Sequence, residues 1–448
     1  MRIEHWATVL FVLAVLHTFA AGIFKKLAHR QPKNSGWQNF YELLSEAEVV
    51  MLVWASILFG SIVSFGLLHS PAYVAALAEG FHHATEYIES LNYTEPKFVV
   101  VIMTICATKP IVHFVDALIR FVAQLMASVC RLSMPAAFLF SALTVGPLLG
   151  SFITEPAAMT VTAIVLSRQF FERGISRRLM YAMIGVLFVS VSIGGVLTHF
   201  AAPPVLMVAG KWGWGVEYMA RHFGWKAVVA VVLNTSGLIL AFRREISTFR
   251  LLDDSDQHGA AAPKKRMPKW VVAVHLLVLA FTVLTAHHEN IFLGGFMLFL
   301  GFVTVTHEFQ EPLKIRQALL VGGFLAGLVT LGGLQSWWLA PLLQSLNELP
   351  LFVGTTLLTG VTDNAALTYL GSQVPDLSER MKQMLVAGAV AGGGLTVIAN
   401  APNPAGYAIL EGSFKRGGHS GINPLGLLVA AAVPTLVAAL CFWFLPSL

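Results

Sequence analysis

The sequence predicts an all-α polytopic membrane protein, with about ten full transmembrane helices, two re-entrant hairpins and two inverted-topology repeats whose helices break at the midplane. Three observations carry this prediction. The 448 residues are 56% hydrophobic and only 12% charged, whereas soluble domains carry roughly 25% charged residues. Apolar stretches of about 20 residues, the length that crosses a bilayer, recur along the chain. Finally, two similar phrases, "TEPAAMT" from Thr154 and "TDNAALT" from Thr362, each place a carboxylate inside an apolar run.

The elements follow from the positions of the basic residues. Segments near 3–24, 45–70, 97–119, 178–200, 224–243, 270–287, 290–306, 315–334, 382–400 and 424–446 read as full spans. The first could pass for a signal peptide, since Arg2 precedes an apolar run ending in "FAAG". Its length and the following "KKLAHRQPK" favour a membrane helix. Lys25, Lys26, Arg30 and Lys33 place that following loop in the cytoplasm and the N-terminus outside. Arg120 and Arg131 then fall inside, as do Arg168, Arg173, Arg177 and Arg178. The apolar stretch 132–167 between these two clusters therefore cannot be one straight span. It reads as a hairpin entering from the inside and turning at its "TEP" tip.

Beyond Arg243 and Arg244, the polar stretch 244–269 is flexible by composition and is the plausible boundary between halves. In the second half, segment 337–371 is broken by "LTGVTDN". Lys415 and Arg416 in "EGSFKRGGH" fall inside only if this segment enters and leaves from the outside. That alternation also puts the C-terminus outside. The resulting organisation is a peripheral first helix and loop (1–44), a first repeat (45–243), the linker (244–269), and a linking helix with the second repeat (270–448).

The two tip phrases share four residues of seven, with Glu155 opposite Asp363. A second matched pair follows each hairpin: "GGVLTHFAAPP" from Gly194 and "GGLTVIANAPN" from Gly393. The offsets, 208 residues (154 to 362) and 199 residues (194 to 393), keep the pairs in order. Gly, Pro and Asn in mid-membrane cost backbone hydrogen bonds, and such breaks are tolerated where they are buried in protein or line a cavity. Four breaks thus converge on the depth at which transporters bind substrate.

Each tip acid reads as the cap of the helix that follows, with Pro156 or Asn364 at the first helical position. A plain capping role is the bland reading. Matching acids at membrane depth favour a functional one. Thr154, Thr362, Asn364, Thr396, Asn400 and Asn403 add the hard oxygen donors that a small cation prefers. Burial disfavours an ionised carboxylate and the helix N-terminus favours it. An acid that holds either a proton or a sodium ion exchanges them by competition alone, so Glu155 and Asp363 are the expected transient sodium ligands.

Lys109, His113 and Asp116 in the third span share one helix face, and read as a buried charge-paired stripe or a proton relay, with Pro110 kinking the span. His199 has no repeat partner, and reads as a hydrogen-bonded interior histidine or a proton carrier. "HHEN" at 287 reads as a loop rather than a metal site, and Cys106, Cys130 and Cys441 read as small hydrophobes. The net charge of +5 resides in short loop clusters that orient the chain, so nucleic acid is not an expected partner. No HExxH or GxSxG pattern occurs, "THEFQ" lacks a second histidine, and neither an enzymatic activity nor a cofactor is expected. A channel suits paired hairpins with tip acids less well than alternating access does.

Taken together, "TEPAAMT", "GVTDNAALTYLG" and "IANAPNPAGYAIL" resemble the sodium/proton antiporters of the ion transporter superfamily, relatives of NhaD-type antiporters and ArsB-type permeases. The resemblance spans about Glu46 to the end. It implies a core of hairpins and broken helices moving elevator-fashion against a scaffold that often dimerises, in a bacterial inner membrane. It implies sodium, and lithium as a second cation, exchanged for protons. Relatives that carry dicarboxylates place Ser-Asn-Thr at the hairpin tips, and this chain does not. The runner-up reading is therefore a sodium- or proton-coupled carrier of a small organic or inorganic anion, which the helix N-termini aimed at the midplane would favour.

Overall fold

A computed structural model describes residues 3–67, 73–249, 267–286, 288–415 and 421–448. Most of the predicted linker, His287 of "HHEN" and Arg416 lie outside the described residues. Among the described residues helices are the only extended regular elements. Six of them are long and apolar enough to cross a membrane, or up to eight if two bent pairs each count as one span.

Several predicted spans differ from that expectation for local reasons. The span expected at 97–119 is two helices, Thr94–Cys106 and Lys109–Val129. Thr108 adopts an extended conformation (φ −75°, ψ 147°) as N-cap of the second helix, with Pro110 in its first turn. Pro110 thus starts a helix, where its missing N–H costs nothing, and does not kink one. The span expected at 382–400 ends at Gly392, where the Gly-rich phrase stops the helix Glu379–Gly392. The expected hairpin 337–371 is three helices, because the chain turns again at 345–347: Ser336–Gln344, Glu348–Thr359 and Asn364–Ser372. An amphipathic helix at Tyr73–Ser90, absent from the sequence reading, follows the second span.

The chain forms two compact units, each drawing on both sequence halves. Unit 1 comprises 1–100, 315–346 and 369–377. Here Ala47–Leu67 packs on Ile315–Gly332, and Ile3–His29 joins them. Polar side chains stitch these helices together: Trp54 Nε1 donates to His17 Nδ1 at 3.0 Å and Thr8 Oγ1 to Gln335 Oε1 at 2.9 Å. Thr330 is a hub, its carbonyl accepting from Tyr87 and its hydroxyl bonded to Tyr93 at 2.8 Å.

Unit 2 comprises 101–314, 347–368 and 378–448. Met134–Ile153 and Glu155–Gln169 pack side by side around a turn at Thr154, so the first hairpin exists as a local structure. Its first arm also packs on Arg177–Gly194, just as Glu348–Thr359 packs on Glu379–Gly392. In both sequence repeats, then, the arm before the acidic tip lies against the helix that runs into a Gly-Gly pair. The second arm, Glu155–Gln169, packs on Asn403–Lys415, which resumes after the second break.

Candidate functional site

The site is built from the ends of helices that stop inside the protein. Thr154 turns the first hairpin with φ 71° and ψ 150°, a left-handed conformation that costs a β-branched residue roughly 1–3 kcal/mol. Glu155 is then the first residue of the next helix, not its cap, and Pro156 follows it. The capping role expected of both acids holds for one of them. Asp363 Oδ1 accepts from the backbone N–H groups of Ala365 at 2.8 Å and Ala366 at 3.2 Å. It is an N-cap of the usual kind.

The two tips meet at consecutive residues of the second break. Asn400 Nδ2 donates to Glu155 Oε2 at 2.7 Å. One residue earlier, the Ala399 carbonyl accepts from the backbone N–H of Asn364 at 3.1 Å. Glu155 is fully buried, Asn364 is 0% exposed and Asn400 1%. Close approach depends on glycine: a Cβ on Gly195 would lie 2.5 Å from Glu155 Oε1, and one on Gly393 would lie 2.8 Å from Asn364 Nδ2.

The breaks themselves are repaired by side chains. Ser151 Oγ donates to the Gly194 carbonyl at 2.7 Å and accepts from Leu197 N at 2.9 Å, and Thr198 Oγ1 donates to the Ser151 carbonyl at 2.6 Å. In the second repeat Asn403 Nδ2 donates to the carbonyls of Gly393 and Thr396 at 2.7 and 2.8 Å. Thr396 Oγ1 donates to the Gly360 carbonyl at 2.9 Å. Backbone groups freed inside a membrane must find such partners.

What is left over is informative. Thr154 Oγ1, Glu155 Oε1, Asn364 Oδ1, Asn400 Oδ1 and Asn403 Oδ1 are all buried without a hydrogen-bond partner. An unsatisfied buried polar atom costs about 1–3 kcal/mol; Asn364 Nδ2, a donor, is unpaired as well, so the whole Asn364 amide is without a partner. Thr396 is committed to the backbone, and Thr362 is only half-buried. No group of three or more His, Cys, Asp or Glu that could hold a metal occurs among the described residues.

The other sequence candidates lie elsewhere. The buried face of Lys109–Val129 is Ile111, Val115, Ile119 and Ala123. Lys109 instead pairs with Glu311 at 3.7 Å, Asp116 with Arg120 at 2.9 Å, and His113 is exposed. The expected buried charge stripe is therefore absent, because the helix's apolar i, i+4 residues take the buried face. His199 is half-buried, its ring edge-on to Phe200 at 5.4 Å. Sequence reasoning missed Ser151, Thr198 and Ser192, whose Oγ donates to the Val390 carbonyl at 2.8 Å. Their signal was a hydroxyl beside a helix break, which is common in any apolar helix.

Among the described residues, six helices long and apolar enough to cross a membrane, with a fully buried carboxylate where helices break, define a multi-pass membrane protein. The chain belongs to the family described as "Putative Na+/H+ antiporter", which matches residues 2–445. Sodium ions and protons are accordingly the transported substrates that membership implies. No curated protein matches the chain.

Proposed function

We propose that the protein exchanges sodium, and lithium as a second cation, for protons by letting the cation and the proton compete for Glu155 and Asp363. The observation that carries this reading is the shared anchoring of both tips on Ala399 and Asn400, with Glu155 Oε1 left unpaired beside them. The two acids are not equivalent. Asp363 is already engaged by two N–H groups, whereas Glu155 has one amide partner and one open oxygen. Glu155 is therefore the principal cation ligand, with Asn400, Asn364 and Thr154 supplying neutral oxygens, and Asp363 the second carboxylate of the exchange.

Glu155, Asp363, Asn364 and Asn400 all belong to unit 2. This supports alternating access by displacement of a unit carrying its own site; the resemblance of the tip phrases to antiporters of the ion transporter superfamily extends the proposal to a homodimer in a bacterial inner membrane, and the alternation of basic loops to both termini outside. Proteoliposomes with a trapped pH dye test the exchange: a proton flux on adding sodium, with no organic anion present, is the expected result. A flux that requires an anion would instead select the anion-carrier reading.

Competition fixes the sign of the pH dependence. Protons occupy the same carboxylates that sodium needs, so the apparent sodium KM should rise as pH falls while the maximal rate holds. A sodium KM independent of pH would contradict a shared site. Asp363→Asn should abolish exchange yet keep the fold, since Asn caps a helix as well as Asp. Asp363→Ala loses the cap as well and should cost a further ~1 kcal/mol, read as a lower thermal midpoint in detergent.

A further inference from the structure

A cavity of about 830 Å³ opens among the helices Arg177–Gly194, Trp225–Ala241 and Pro424–Phe444, all within unit 2 and apart from the acidic tips. Its size is that of a ligand pocket, but its chemistry is divided. At one end stand Arg178, Tyr181 and Asn423; the remainder is lined by apolar side chains such as Leu233, Val429 and Val433, with Asn234 the one further polar side chain, its amide donating to the Pro434 carbonyl at 3.1 Å. We propose that this groove holds one acyl chain of an anionic phospholipid, with the lipid phosphate on Arg178.

Three features select this occupant. The first is charge. Arg178 is exposed and enters no hydrogen bond or ion pair among the described residues. The nearby acid Glu245 is already taken, accepting from Ser176 N at 2.7 Å and Ser176 Oγ at 2.8 Å. Arg177 is also occupied, its guanidinium 5.8 Å from the Tyr181 ring centroid and bonded to the Gly421 carbonyl at 3.4 Å. Arg178 is thus a free cation that lines the mouth among the described residues.

The second feature is backbone polarity. Two helices begin at this mouth, at Arg177 and Pro424, and Tyr181 Oη joins them by accepting from Asn423 N at 2.9 Å. Both present positive dipole ends there; the Arg177 end already faces Glu245 through its cap Ser176 and the Pro424 end is capped by Asn423 Oδ1, so the dipoles add to the field of Arg178 rather than offering free N–H donors. The third is length. From Leu425 to Val437 the lining runs about 18 Å along one helix, close to one leaflet of a hydrocarbon core about 30 Å thick. Val429 and Val433 are exposed on the outer wall, so a chain can enter sideways from the bilayer. A second protein helix would bury that outer wall but leave Arg178 without an anion.

The test uses the full chain, purified with its lipids exchanged for phosphatidylcholine with or without phosphatidylglycerol. Native mass spectrometry should show phosphatidylglycerol retained in preference to phosphatidylcholine, and the thermal midpoint should rise with it. Arg178→Gln should weaken that retention by about tenfold or more, as expected for a lost charge-assisted hydrogen bond, while Arg178→Lys keeps most of it. Val433→Trp, which fills the groove from its exposed wall, should abolish retention with Arg178 intact. Equal retention of the two lipids, or an unchanged Arg178→Gln variant, would overturn the proposal. So would protection by inorganic phosphate or free oleate equal to that by phosphatidylglycerol, or efficient crosslinking between copies through Val429→Cys. None of these readouts depends on sodium/proton exchange.

Discussion

Glu155→Gln is expected to reduce sodium-driven proton flux in proteoliposomes to the background of empty vesicles while the protein still folds. The substitution keeps the shape of the side chain and an oxygen for the Asn400 amide to donate to, so the 2.7 Å contact that ties the first tip to the second break survives. What is lost is the charge. An amide can neither take up the transported proton nor neutralise a sodium ion at a site walled by helix ends. Because an ionised group buried this completely costs the folded state several kcal/mol unless it is compensated, the variant should melt at or above the wild-type midpoint. Loss of flux with an unchanged or raised midpoint separates a transport role from a structural one. Near-normal flux would remove Glu155 from the mechanism.

Gly394→Ala should cost stability, by about 1–3 kcal/mol or more. The Cβ it adds would fall 2.5 Å from the Val189 Cα, where the helix Arg177–Gly194 passes the second break. Backbone, unlike the tip of a flexible side chain, cannot step aside, so the whole crossing must open. The neighbouring contacts, Ser192 Oγ on the Val390 carbonyl at 2.8 Å and the Asn364 amide beside Gly393, would be disturbed with it. Gly354→Ala is the control. Gly354 lies within the helix Glu348–Thr359, and its Cβ would meet nothing within 4 Å. That change should be neutral or stabilising by up to about 1 kcal/mol. Equal midpoints for the two variants in detergent would show that the crossing is looser than the contact distances indicate.

The turn at Thr154 falls where the "TEP" phrase put it, while the first arm, Met134–Ile153, is by itself long and apolar enough to cross a membrane, a length the reading of basic flanks did not weigh. The tips stood out in the sequence because a carboxylate in an apolar run is costly, and the phrase occurs twice. The roles of the two acids did not. Glu155 and Asp363 align, yet Asp363 caps its helix with two N–H bonds and Glu155 caps nothing, receiving instead an amide from Asn400. The residue aligned with Asn400 in the first repeat is Ala201, which has no amide to offer, so the asymmetry was written in the sequence. Nothing local says that Asn400 reaches across 245 positions to Glu155.

The stripe of Lys109, His113 and Asp116 failed for the opposite reason. Helical spacing places residues on a common face but does not say which face is buried. Here the aliphatic residues Ile111, Val115 and Ile119 took the packed interior, and Lys109 and Asp116 paired outside it with Glu311 and Arg120, since an unpaired buried charge is costly.

The sequence by itself determined that the chain is helical and apolar enough for a membrane, and that its helices stop at two related acidic phrases and two glycine pairs. Those properties depend on residues close together along the chain, on hydrophobic length, charge placement and backbone freedom. Only the tertiary structure decided which carboxylate keeps an open oxygen, which hydroxyls repair the broken backbone, and that the two tips share one anchor at Ala399 and Asn400. These are contacts between segments hundreds of positions apart, and each is set by the packing of whole helices against one another.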